Sequence, residues 1–590
     1  MLNQPVVFRP RPSPSLPVLL AAWTVLDLLF NVRYPAPAPA WLWFLPSIDA
    51  TVLLAAVAIL GWRGHRLPRG VAVALALAVV VVRAFRVGDG VVLRYFNRPF
   101  DVGLDLPTAG EIGRLMRATV RPPVLVAATL GLGACTFGFA WLAGWSIRAA
   151  ERSFAAARVR RTFAVLVASA VAGSALFSQT DSSGLRQGLF APSVAGRLAR
   201  EAIRAGRLDD DGRQQAQRVR TDAARVASRP HDLAGLGGVH VLVFFVESYG
   251  ATVLEDQRMA SRIDALYRDV EGRLRARGFQ IASRLLDSPT YGGRSQLAHQ
   301  ALFTGVRAGN RIEDAAVQSL RPRAMADFFR DAGYRSVLVM PGTTHPDLPR
   351  WLYGFDRLYA AWDLSYRGPT FAFGAMPDQF VVRAIHDREI GAAKTPLLLA
   401  YALISSHAPW DSQPPMLANW GEVGDGHAFA ELAPVRFPTN WSNLGQAADA
   451  YTHAVAYDLG VIADYLASFD LGDALVIVLG DHQPVADVTG ASASSAVPIH
   501  VISRRPALID PFRARGYVDG MRPRTDGAPP GMETFLPDLL ADFSPAVPRT
   551  TPRGLSPGTP TAAPETRAGH RDRPSGARAG AMQRTVPSPG

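Results

Sequence analysis

Four side chains that could bind a metal and attack phosphorus stand at the ends of apolar runs or beside a Gly pair. Glu247 ends the run VHVLVFFVE, while Asp481 and His482 follow the run LVIVLG. Ser295 lies just after the glycines of GGRSQLAHQALFTG. Open α/β sheets collect ligands at the carboxyl ends of their strands, so we expect these side chains to converge. Two carboxylates and one imidazole suit Mn²⁺, Mg²⁺ or Zn²⁺, and we therefore predict one divalent metal site, with Mn²⁺ as the expected ion.

Ser295 is the candidate catalytic nucleophile and a further metal ligand. A divalent ion could help to deprotonate its hydroxyl, the usual way to activate a weak nucleophile at neutral pH. Ser295 opens a predicted helix after Gly292 and Gly293, where free N–H groups and the helix dipole favour a phosphoryl group. Two alternatives stay open: Ser295 is only a helix N-cap, or Thr290 in the same loop is the nucleophile.

Two more residues are candidates for contact with a substrate. His407 follows a third apolar run, in ISSHAPW, and Arg294 directly precedes Ser295. His407 could instead be a buried histidine with satisfied hydrogen bonds. Arg294 could either clamp a phosphate or face solvent.

The elements that must position these residues alternate between strand and helix. Candidate strands lie at 239–246, 336–340, 396–404, 474–479 and 498–502, and candidate helices at 255–277, 295–303, 323–332, 447–469 and 532–543. The helical segments have the periodic apolar positions of helices that cover a sheet. This alternation predicts a mostly parallel sheet that is covered on both faces.

The first third of the chain has a different character. Of the 590 residues, 48% are hydrophobic and 19% charged, which favours a membrane protein. The apolar excess lies before residue 178, in five segments near the ~20 residues that span a bilayer: 16–34, 41–62, 71–87, 123–145 and 162–177. The predicted fold class is therefore a multi-span α-helical membrane domain of about five helices, followed by an α/β catalytic domain.

Arginines between the segments predict the orientation. Arg63, Arg66 and Arg69 follow the second segment, and another group of arginines follows the fourth. The positive-inside rule then places the amino terminus in the cytoplasm and the chain beyond residue 178 outside. We expect a multi-pass protein of the cytoplasmic membrane with an extracytoplasmic catalytic domain.

Charge and cysteine content exclude several classes. The formal net charge of +12 comes almost entirely from arginine, since Lys394 is the only lysine. We interpret this basicity as membrane orientation and surface charge, with no nucleic-acid partner. Cys135, the only cysteine, lies in an apolar segment. A disulfide framework, a CxxC zinc site and a catalytic thiol are thus excluded from the catalytic part.

These patterns predict four regions. They are a transmembrane domain (1–177), an amphipathic connector (178–237), the catalytic domain (238–545) and a disordered Pro- and Arg-rich tail (546–590). The connector should hold two helices, 194–205 and 211–227, that lie on the membrane surface or are simply solvated. Asp27 and Asp49 fall within predicted spans. They either pair inside the bundle, for example with Trp or with Arg83, lie near the interface, or line a lipid cavity.

At this point the catalytic part resembles the sulfatase-like branch of the alkaline phosphatase superfamily. With five preceding spans, the chain is similar to lipoteichoic acid synthases and to membrane phosphoglycerol and phosphoethanolamine transferases. The resemblance implies that Glu247, Ser295, Asp481 and His482 bind the metal and that His407 contacts the substrate phosphate or a second metal. His345 and Arg350, in HPDLPRW, fall where related synthases contact the headgroup.

Several departures from the family pattern narrow these expectations. Ser295 stands where transferases of the family usually have Thr, and Ala496 stands where several relatives have a further His, with His500 on the wrong side of Pro498. These substitutions argue against a second tightly bound metal. The absence of cysteine outside the apolar segments favours the phosphoglycerol branch. Ser295 lacks the C/S-x-P-x-R context in which sulfatases form their formylglycine.

The resemblance implies a metal-dependent membrane transferase. It would move a phosphoglycerol-like headgroup from a phospholipid donor to a glycan or lipid acceptor through a phosphoserine intermediate. Alternatives on the same site are a phosphodiesterase or phosphatase and a phosphoethanolamine transferase. A non-catalytic membrane scaffold is the alternative from another class.

Overall fold

The structure, a computed structural model, describes residues 15–36, 40–103, 105–106, 122–180, 190–206, 208–343, 353–374, 376–438, 446–490 and 493–544. Its amino-terminal part holds five helices: α1 (Leu16–Asn31), α2 (Ile48–Trp62), α3 (Arg69–Phe96), α4 (Pro122–Ser153) and α5 (Ala157–Thr180). They share a core in which Leu26, Leu54, Val79 and Ile147 are buried. All five predicted apolar segments are therefore helical.

Only two of these helices, rather than the five predicted, are long and apolar enough to cross a membrane. They are α3, with 28 residues, and α4, with 32. At 1.5 Å per residue, the 16 residues of α1 and the 15 of α2 reach only about 24 and 22 Å, less than the ~30 Å hydrocarbon core. Helix α5 begins with Arg158, Arg160 and Arg161, which lower its apolar content.

The faces of α3 and α4 that point away from the bundle are apolar and exposed. In the most apolar stretch of 18 consecutive residues, no residue of α4 is buried and only a third of the residues of α3 are. Phe137 is 74% exposed and Leu130 is 70% exposed. A soluble monomer rarely exposes an apolar surface of this extent.

The two predicted connector helices are present as α6 (Val194–Gly206) and α7 (Leu208–Ala227). They differ in what they contact. Val194 of α6 joins the core of the helical bundle. Val219, Ala223 and Val226 of α7 are buried in one core of the catalytic part, whereas the sequence placed both helices on a membrane surface or in solvent. The apolar stripe of α7 covers protein because α7 packs beside a sheet-covering helix.

Both acids within the predicted spans are used inside the bundle. Asp27 Oδ1 accepts the N–H of Ser47 at 2.8 Å. Asp49 accepts hydrogen bonds from the hydroxyl of Ser193 and from the N–H of Val194 at the start of α6. Arg83 contacts neither acid and instead binds carbonyl oxygens at the end of α1.

The catalytic part is built on one eight-stranded sheet with helices on both faces. The strands are β1 (Val241–Val246), β2 (Gln280–Asp287), β3 (Arg335–Met340), β4 (Arg357–Ala360), β5 (Leu397–Ala402), β8 (Leu475–Gly480), β9 (Ala496–Ser503) and β10 (Val518–Asp519), and β6 (Ser412–Gln413) pairs separately with β7 (Val435–Arg436). The order is β10-β2-β9-β8-β1-β5-β3-β4. The α/β fold is as predicted.

The sheet is mixed, however, rather than mostly parallel. Strand β1 pairs in parallel with β5 and β8, and β3 pairs in parallel with β4 and β5. Strand β9 runs antiparallel to both β8 and β2. Parallel neighbours need a crossover, usually a full helix. The described residues between β8 and β9 contain no helix longer than the four-residue α15 (Ala486–Thr489), so β9 returns antiparallel.

The remaining helices cover this sheet. They are α8 (Thr252–Glu255), α9 (Gln257–Ala276), α10 (Ser295–Thr304), α11 (Arg311–Leu320), α12 (Met325–Asp331), α13 (Asp378–Ile385), α14 (Ala448–Ser468), α16 (Asp510–Ala514) and α17 (Phe535–Phe543). In α9, Asp256 accepts the N–H of Arg258 as an N-cap, and the buried stripe is Met259, Ile263, Tyr267, Val270 and Leu274.

Strand β1 lies at the centre of the sheet and serves two cores. Leu242 and Phe244 belong to the core under α9 and α14, while Val243 and Phe245 belong to the core under α10 and α12. Alternate side chains of a strand point to opposite faces, which explains why all six residues of β1 are buried. Each such side chain stabilises the fold by about 1.5–3 kcal/mol. This burial holds the carboxyl end of β1 in place.

Candidate metal centre

Three of the predicted ligands meet at the carboxyl ends of two neighbouring strands. Glu247 follows β1, and Asp481 and His482 follow β8, which pairs with β1 up to Val246 and Gly480. One ligand atom from each of the three side chains lies within 4.8 Å of the others. Parallel pairing in register therefore brings residues more than 230 positions apart, as for Ser248 and Asp481, to one point.

The carboxylate of Asp481 is divided between backbone and site. Its Oδ1 accepts the N–H groups of Ser248 and His482, both at 2.7 Å. Its Oδ2 is buried and has no hydrogen-bond partner among the described residues, although His482 Nε2 lies 3.4 Å away. Burial, together with the charge of Glu247, raises the pKa of Asp481 to about 7. An orphaned acidic oxygen beside a second carboxylate is the environment that a cation stabilises.

His482 is held with one ring nitrogen toward the site. Its Nδ1 lies 2.7 Å from the carbonyl oxygen of Gln483 and must donate there, since a carbonyl only accepts. Its Nε2, 3.3 Å from Glu247 Oε1, faces the site and carries a proton when the ring is charged or can bind a metal ion when the ring is neutral. Burial disfavours the charged imidazole, yet Asp481 and Glu247 outweigh burial and raise the pKa of His482 to about 9. A backbone carbonyl on the far nitrogen is the usual support of a metal-binding histidine.

The hydroxyl of Ser295 lies against this group. Ser295 Oγ is 3.1 Å from Glu247 Oε2 and 3.1 Å from His482 Nε2. Thr290, the rival nucleophile, uses its hydroxyl within the loop, donating to the carbonyl of Gly293 at 2.6 Å. Among the described contacts, the hydroxyl of Ser295 touches the predicted ligands and that of Thr290 does not.

The Gly pair before Ser295 has a role that differs from the expected one. The N–H of Gly292 donates to Gln483 O at 3.0 Å, so it is not free for an anion. Gly292 has a φ of +65°, and a Cβ there would overlap the carbonyl oxygen of Tyr95 at the end of α3. Glycine is required because the loop 288–294, here called the nucleophile loop after the proposed role of Ser295, rests directly on the helical bundle.

The two predicted substrate contacts, His407 and Arg294, have different neighbours. His407 follows β5, stacks on Phe373 with ring centroids 3.7 Å apart, and directs Nδ1 to Ala408 O at 2.6 Å. Burial disfavours the Glu247 carboxylate, but His482, and after it His407, outweigh burial and lower the pKa of Glu247. Arg294 Nη2 lies 3.8 Å from Asp314 Oδ2 and lines a cavity of about 910 Å³ between the end of α3 and α11.

Comparison with known families identifies the fold around this centre. Residues 281–528 match the family model named Sulfatase. The chain carries a Sulfatase-family enzyme domain. The resemblance derived from the site residues is thereby confirmed, as is the expectation of an enzyme. The matched range contains Ser295, His407, Asp481 and His482 but begins after Glu247.

Solved structures similar to the chain include a lipoteichoic acid synthase and two transferases. The lipoteichoic acid synthase LtaP from Listeria monocytogenes is 10% identical, with 51% of this chain and 72% of that chain covered at a TM-score of 0.33. The integral membrane protein lipooligosaccharide phosphoethanolamine transferase A (EptA) from Neisseria meningitidis is 12% identical, with 90% and 96% covered at 0.42. The Streptococcus pyogenes phosphoglycerol transferase GacH is 13% identical, with 57% and 92% covered at 0.33. A search of curated proteins finds no match.

The sequence singles out three other positions: His345, Arg350 and His500. His345 and Arg350 lie outside the described residues. His500 is buried in β9, where Nε2 contacts the hydroxyl of Tyr249 at 2.9 Å and Nδ1 contacts that of Ser283 at 2.7 Å. Burial lowers the pKa of His500 to about 3, so it is a neutral core residue.

Sequence reasoning missed the residues that support the ligands. Ser248 adopts a φ of +58°, which turns its N–H to Asp481, and its hydroxyl contacts Glu247 Oε1 at 3.1 Å. The hydroxyl of Tyr451 donates to the carbonyl of Ser248 at 2.8 Å. The carbonyl of Gln483 binds both His482 and Gly292. Backbone carbonyl contacts leave no signature in residue type, although the Tyr of YTHAVAYD was a visible signal for Tyr451.

Proposed function

We propose that the protein is a metal-dependent membrane transferase that moves a phosphoglycerol-like headgroup from a lipid donor to a glycan or lipid acceptor. The observation that carries the proposal is the hydroxyl of Ser295, 3.1 Å from both Glu247 and His482. A nucleophile in contact with a group able to hold a divalent cation is the arrangement that phosphoryl transfer requires.

Glu247, Asp481 and His482 are the proposed metal ligands, with Ser295 completing the set. The donor set of two carboxylates, one imidazole and one hydroxyl suits Mn²⁺, with Mg²⁺ or Zn²⁺ as alternatives. When bound, the ion would supply the positive charge that favours the Ser295 alkoxide and neutralises phosphoryl oxygens. The orphaned Oδ2 of Asp481 supports this assignment.

The protein side of the reaction proceeds in two displacements. Ser295 Oγ attacks the donor phosphorus as the bond to the diacylglycerol oxygen breaks, and diacylglycerol leaves after gaining a proton. His407, near the rim of the site, contacts the phosphoryl oxygens and helps to balance their charge. An acceptor hydroxyl then attacks the phosphoserine, gives up its proton and releases Ser295 in its original form.

A membrane location is part of the proposal. The exposed apolar faces of α3 and α4 need lipid around them. We place the amino terminus in the cytoplasm and the sulfatase domain outside, with the region boundaries at residues 177, 237 and 545. A reporter enzyme that is active only outside the cytoplasm should work when fused after Leu233 and fail when fused after Arg66, and the reverse pattern would contradict this topology.

Two other uses of the site differ in their products. A phosphodiesterase or phosphatase would release the free headgroup to water, and a phosphoethanolamine transferase would move a different headgroup. A non-catalytic scaffold would bind lipid without turnover. The charges and the hydroxyl at the centre favour an enzyme over the scaffold.

The decisive experiment traps the covalent intermediate. The full chain in lipid vesicles is mixed with phosphatidylglycerol that carries a labelled headgroup phosphate, and the reaction is quenched rapidly. We expect label on the peptide that contains Ser295 and none in Ser295→Ala. Label on Thr290, or an unlabelled but active protein, would contradict the nucleophile. Adding glycan acceptor separates transfer from hydrolysis by the fate of the label.

A further inference from the structure

The outer half of α3 carries a charged group that the proposed phosphoryl transfer does not use. We call Asp89, Arg33, Arg83, Arg86 and Arg197 the Asp89 cluster. Asp89 is only 2% exposed, and Arg197 Nη2 lies 2.8 Å from its Oδ1. Arg33 Nε and Arg86 Nη1 each lie 3.5 Å from its Oδ2. The cluster thus joins the segment after α1, α3 and α6.

Most contacts of these arginines are with neutral groups. Arg83 binds the carbonyl oxygens of Leu29 and Val32, and Arg86 Nη2 binds that of Asn31 at 3.2 Å. These bonds satisfy the orphan carbonyls at the end of α1. Carbonyl oxygens carry only partial charge, however, so they leave the net charge of the guanidinium groups unbalanced.

Positive charge is therefore in excess. Across the part of the chain that the structure describes, Asp89 is the only carboxylate within 4.0 Å of these four guanidinium groups. Asp49, an acid at the same end of the bundle, is already engaged by Ser193 and Val194. Four positive charges meet one negative charge. Among the described residues, the buried Nε atoms of Arg83 and Arg86 have no hydrogen-bond partner, and that of Arg33 has only the 3.5 Å ion pair with Asp89.

The position of the cluster along α3 indicates which anion could reach it. This step rests on the proposed membrane location, with Arg69 at the inner boundary of the hydrocarbon. The ~30 Å core corresponds to about 20 residues of helix, so the outer boundary falls near residue 89 of the 28-residue α3. Arg83 and Arg86 lie below it and reach toward the end of α1, as arginines near a membrane boundary do.

We propose that the Asp89 cluster binds the phosphate of an anionic membrane lipid. The side chains of Arg33 and Arg197 are 37% and 25% exposed, and they form the open edge of the cluster. A basic group between helices at headgroup depth attracts lipid phosphates, and unpaired charge beside hydrocarbon is costly. This lipid is distinct from the donor, because the nucleophile loop meets α3 further along, at Tyr95. The bound headgroup holds together α1, α3 and α6, beside the helix on which that loop rests.

The test measures the thermal unfolding midpoint of the full chain, purified in detergent and stripped of lipid. Phosphatidylglycerol added to the micelles should raise the midpoint by a few °C, while phosphatidylcholine should not. Arg33→Gln/Arg197→Gln should lose this difference. The matched control is Arg158→Gln/Arg161→Gln, which removes two exposed arginines from the start of α5, near the opposite end of the bundle, and should keep the full effect.

The outcomes separate the sources of the phosphate. Inorganic phosphate at the same concentration should have little effect, and full stabilisation by phosphate alone would overturn the assignment to a lipid. An equal response of all variants to phosphatidylglycerol would overturn the site itself. If the double variant does not fold, Arg197→Gln and native mass spectrometry of retained lipid give the same comparison. Because the readout is stability, loss of the proposed transferase activity would leave this result unaffected.

Discussion

The metal centre and the Asp89 cluster are both buried groups of charged side chains. Negative charge is in excess at the metal centre, and positive charge is in excess in the cluster. At the metal centre, Glu247 and Asp481 face a single imidazole, and Asp481 Oδ2 lacks a partner. In the Asp89 cluster, four guanidinium groups face one carboxylate. Burial makes either surplus expensive, so each group is completed by what its surroundings supply. We propose a divalent cation for the centre at the strand ends and a lipid anion for the cluster at the proposed membrane boundary.

A third buried group, the acid pair Asp378 and Asp458, reduces its excess negative charge in another way. Asp378 and Asp458 are fully buried and contact each other, and Asp378 Oδ2 also accepts the N–H groups of Ile404 at 2.8 Å and Ser405 at 2.5 Å. Burial raises the pKa of Asp378 to about 6 and that of Asp458 well above its usual value. Raised pKa values on both carboxyls favour a proton shared by the pair over two negative charges. It lies under the loop that carries His407.

The largest effect should come from the nucleophile. Ser295→Ala should lower turnover by at least about three orders of magnitude, because no hydroxyl remains to attack phosphorus. The variant should fold and bind metal, since three proposed ligands remain and no helix cap is lost: Arg294 is the N-cap residue, and the Ser295 hydroxyl contacts Glu247 and His482. Steady-state rates and metal content measured on one preparation test this. Ser295→Thr should retain part of the activity, and Thr290→Ala should be nearly neutral, whereas an active Ser295→Ala would remove Ser295 from the mechanism.

The second-largest effect should come from removing one negative charge at the metal centre. Asp481→Asn keeps the volume of the side chain but removes one negative charge, so metal affinity should fall by more than about 100-fold and activity should fall with it. Titration with Mn²⁺ after removal of metal by a chelator measures the affinity. Arg33→Gln, which changes the other charged group, is the control and should bind Mn²⁺ like the parent protein. Full affinity in Asp481→Asn would exclude Asp481 as a ligand.

The junction between the two regions should show a smaller effect. Arg94 at the end of α3 lies 2.5 Å from Asp487, which follows the ligands on α15, and both side chains are largely buried. A double-mutant cycle with Arg94→Ala and Asp487→Ala should give a coupling energy of about 1–3 kcal/mol in unfolding. A coupling energy near zero would mean that the Arg94–Asp487 ion pair does not help to hold the nucleophile loop against α3, which would leave the contact of Gly292 with Tyr95 to do so.

The smallest effect should be a change in pH dependence at the acid pair. A carboxyl whose folded pKa is raised stabilises the fold below its unfolded pKa of about 4 and loses this contribution as pH rises through the folded value. The parent protein should therefore lose stability from about pH 4 through pH 6, and further as Asp458 ionises. Asp458→Asn, an amide that still donates to Asp378, should flatten the loss above pH 6.

Thermal unfolding midpoints of the full chain between pH 5 and pH 9 measure this slope. Asp458→Ala is the matched comparison, since it leaves Asp378 without a donor and should be destabilised by about 1–3 kcal/mol at every pH. An unchanged slope in Asp458→Asn would show that the pair is not completed by a proton.

Local patterns in the sequence determined much of this protein. Residue periodicity predicted the strands that carry Glu247, His407 and Asp481 and the helix that begins at Ser295, because burial on one or two faces dictates which residue types alternate. Strand-end chemistry predicted that Glu247, Asp481 and His482 lie together with Ser295, which they do, while their binding of a metal stays a prediction. The apolar runs predicted five helices, although their lengths did not reveal that only two are long and apolar enough to span a bilayer.

Only the tertiary structure decided how distant segments meet. Strand β9 runs antiparallel because of the short path from β8, and no residue in it signals a direction. Gly292 looked like an anion site but is a point of close approach to Tyr95, about 200 positions earlier in the chain. The excess charge around Asp89 likewise arises from helices that are far apart in sequence. Local periodicity depends on neighbouring residues, whereas these features depend on pairwise contacts that a linear pattern does not encode.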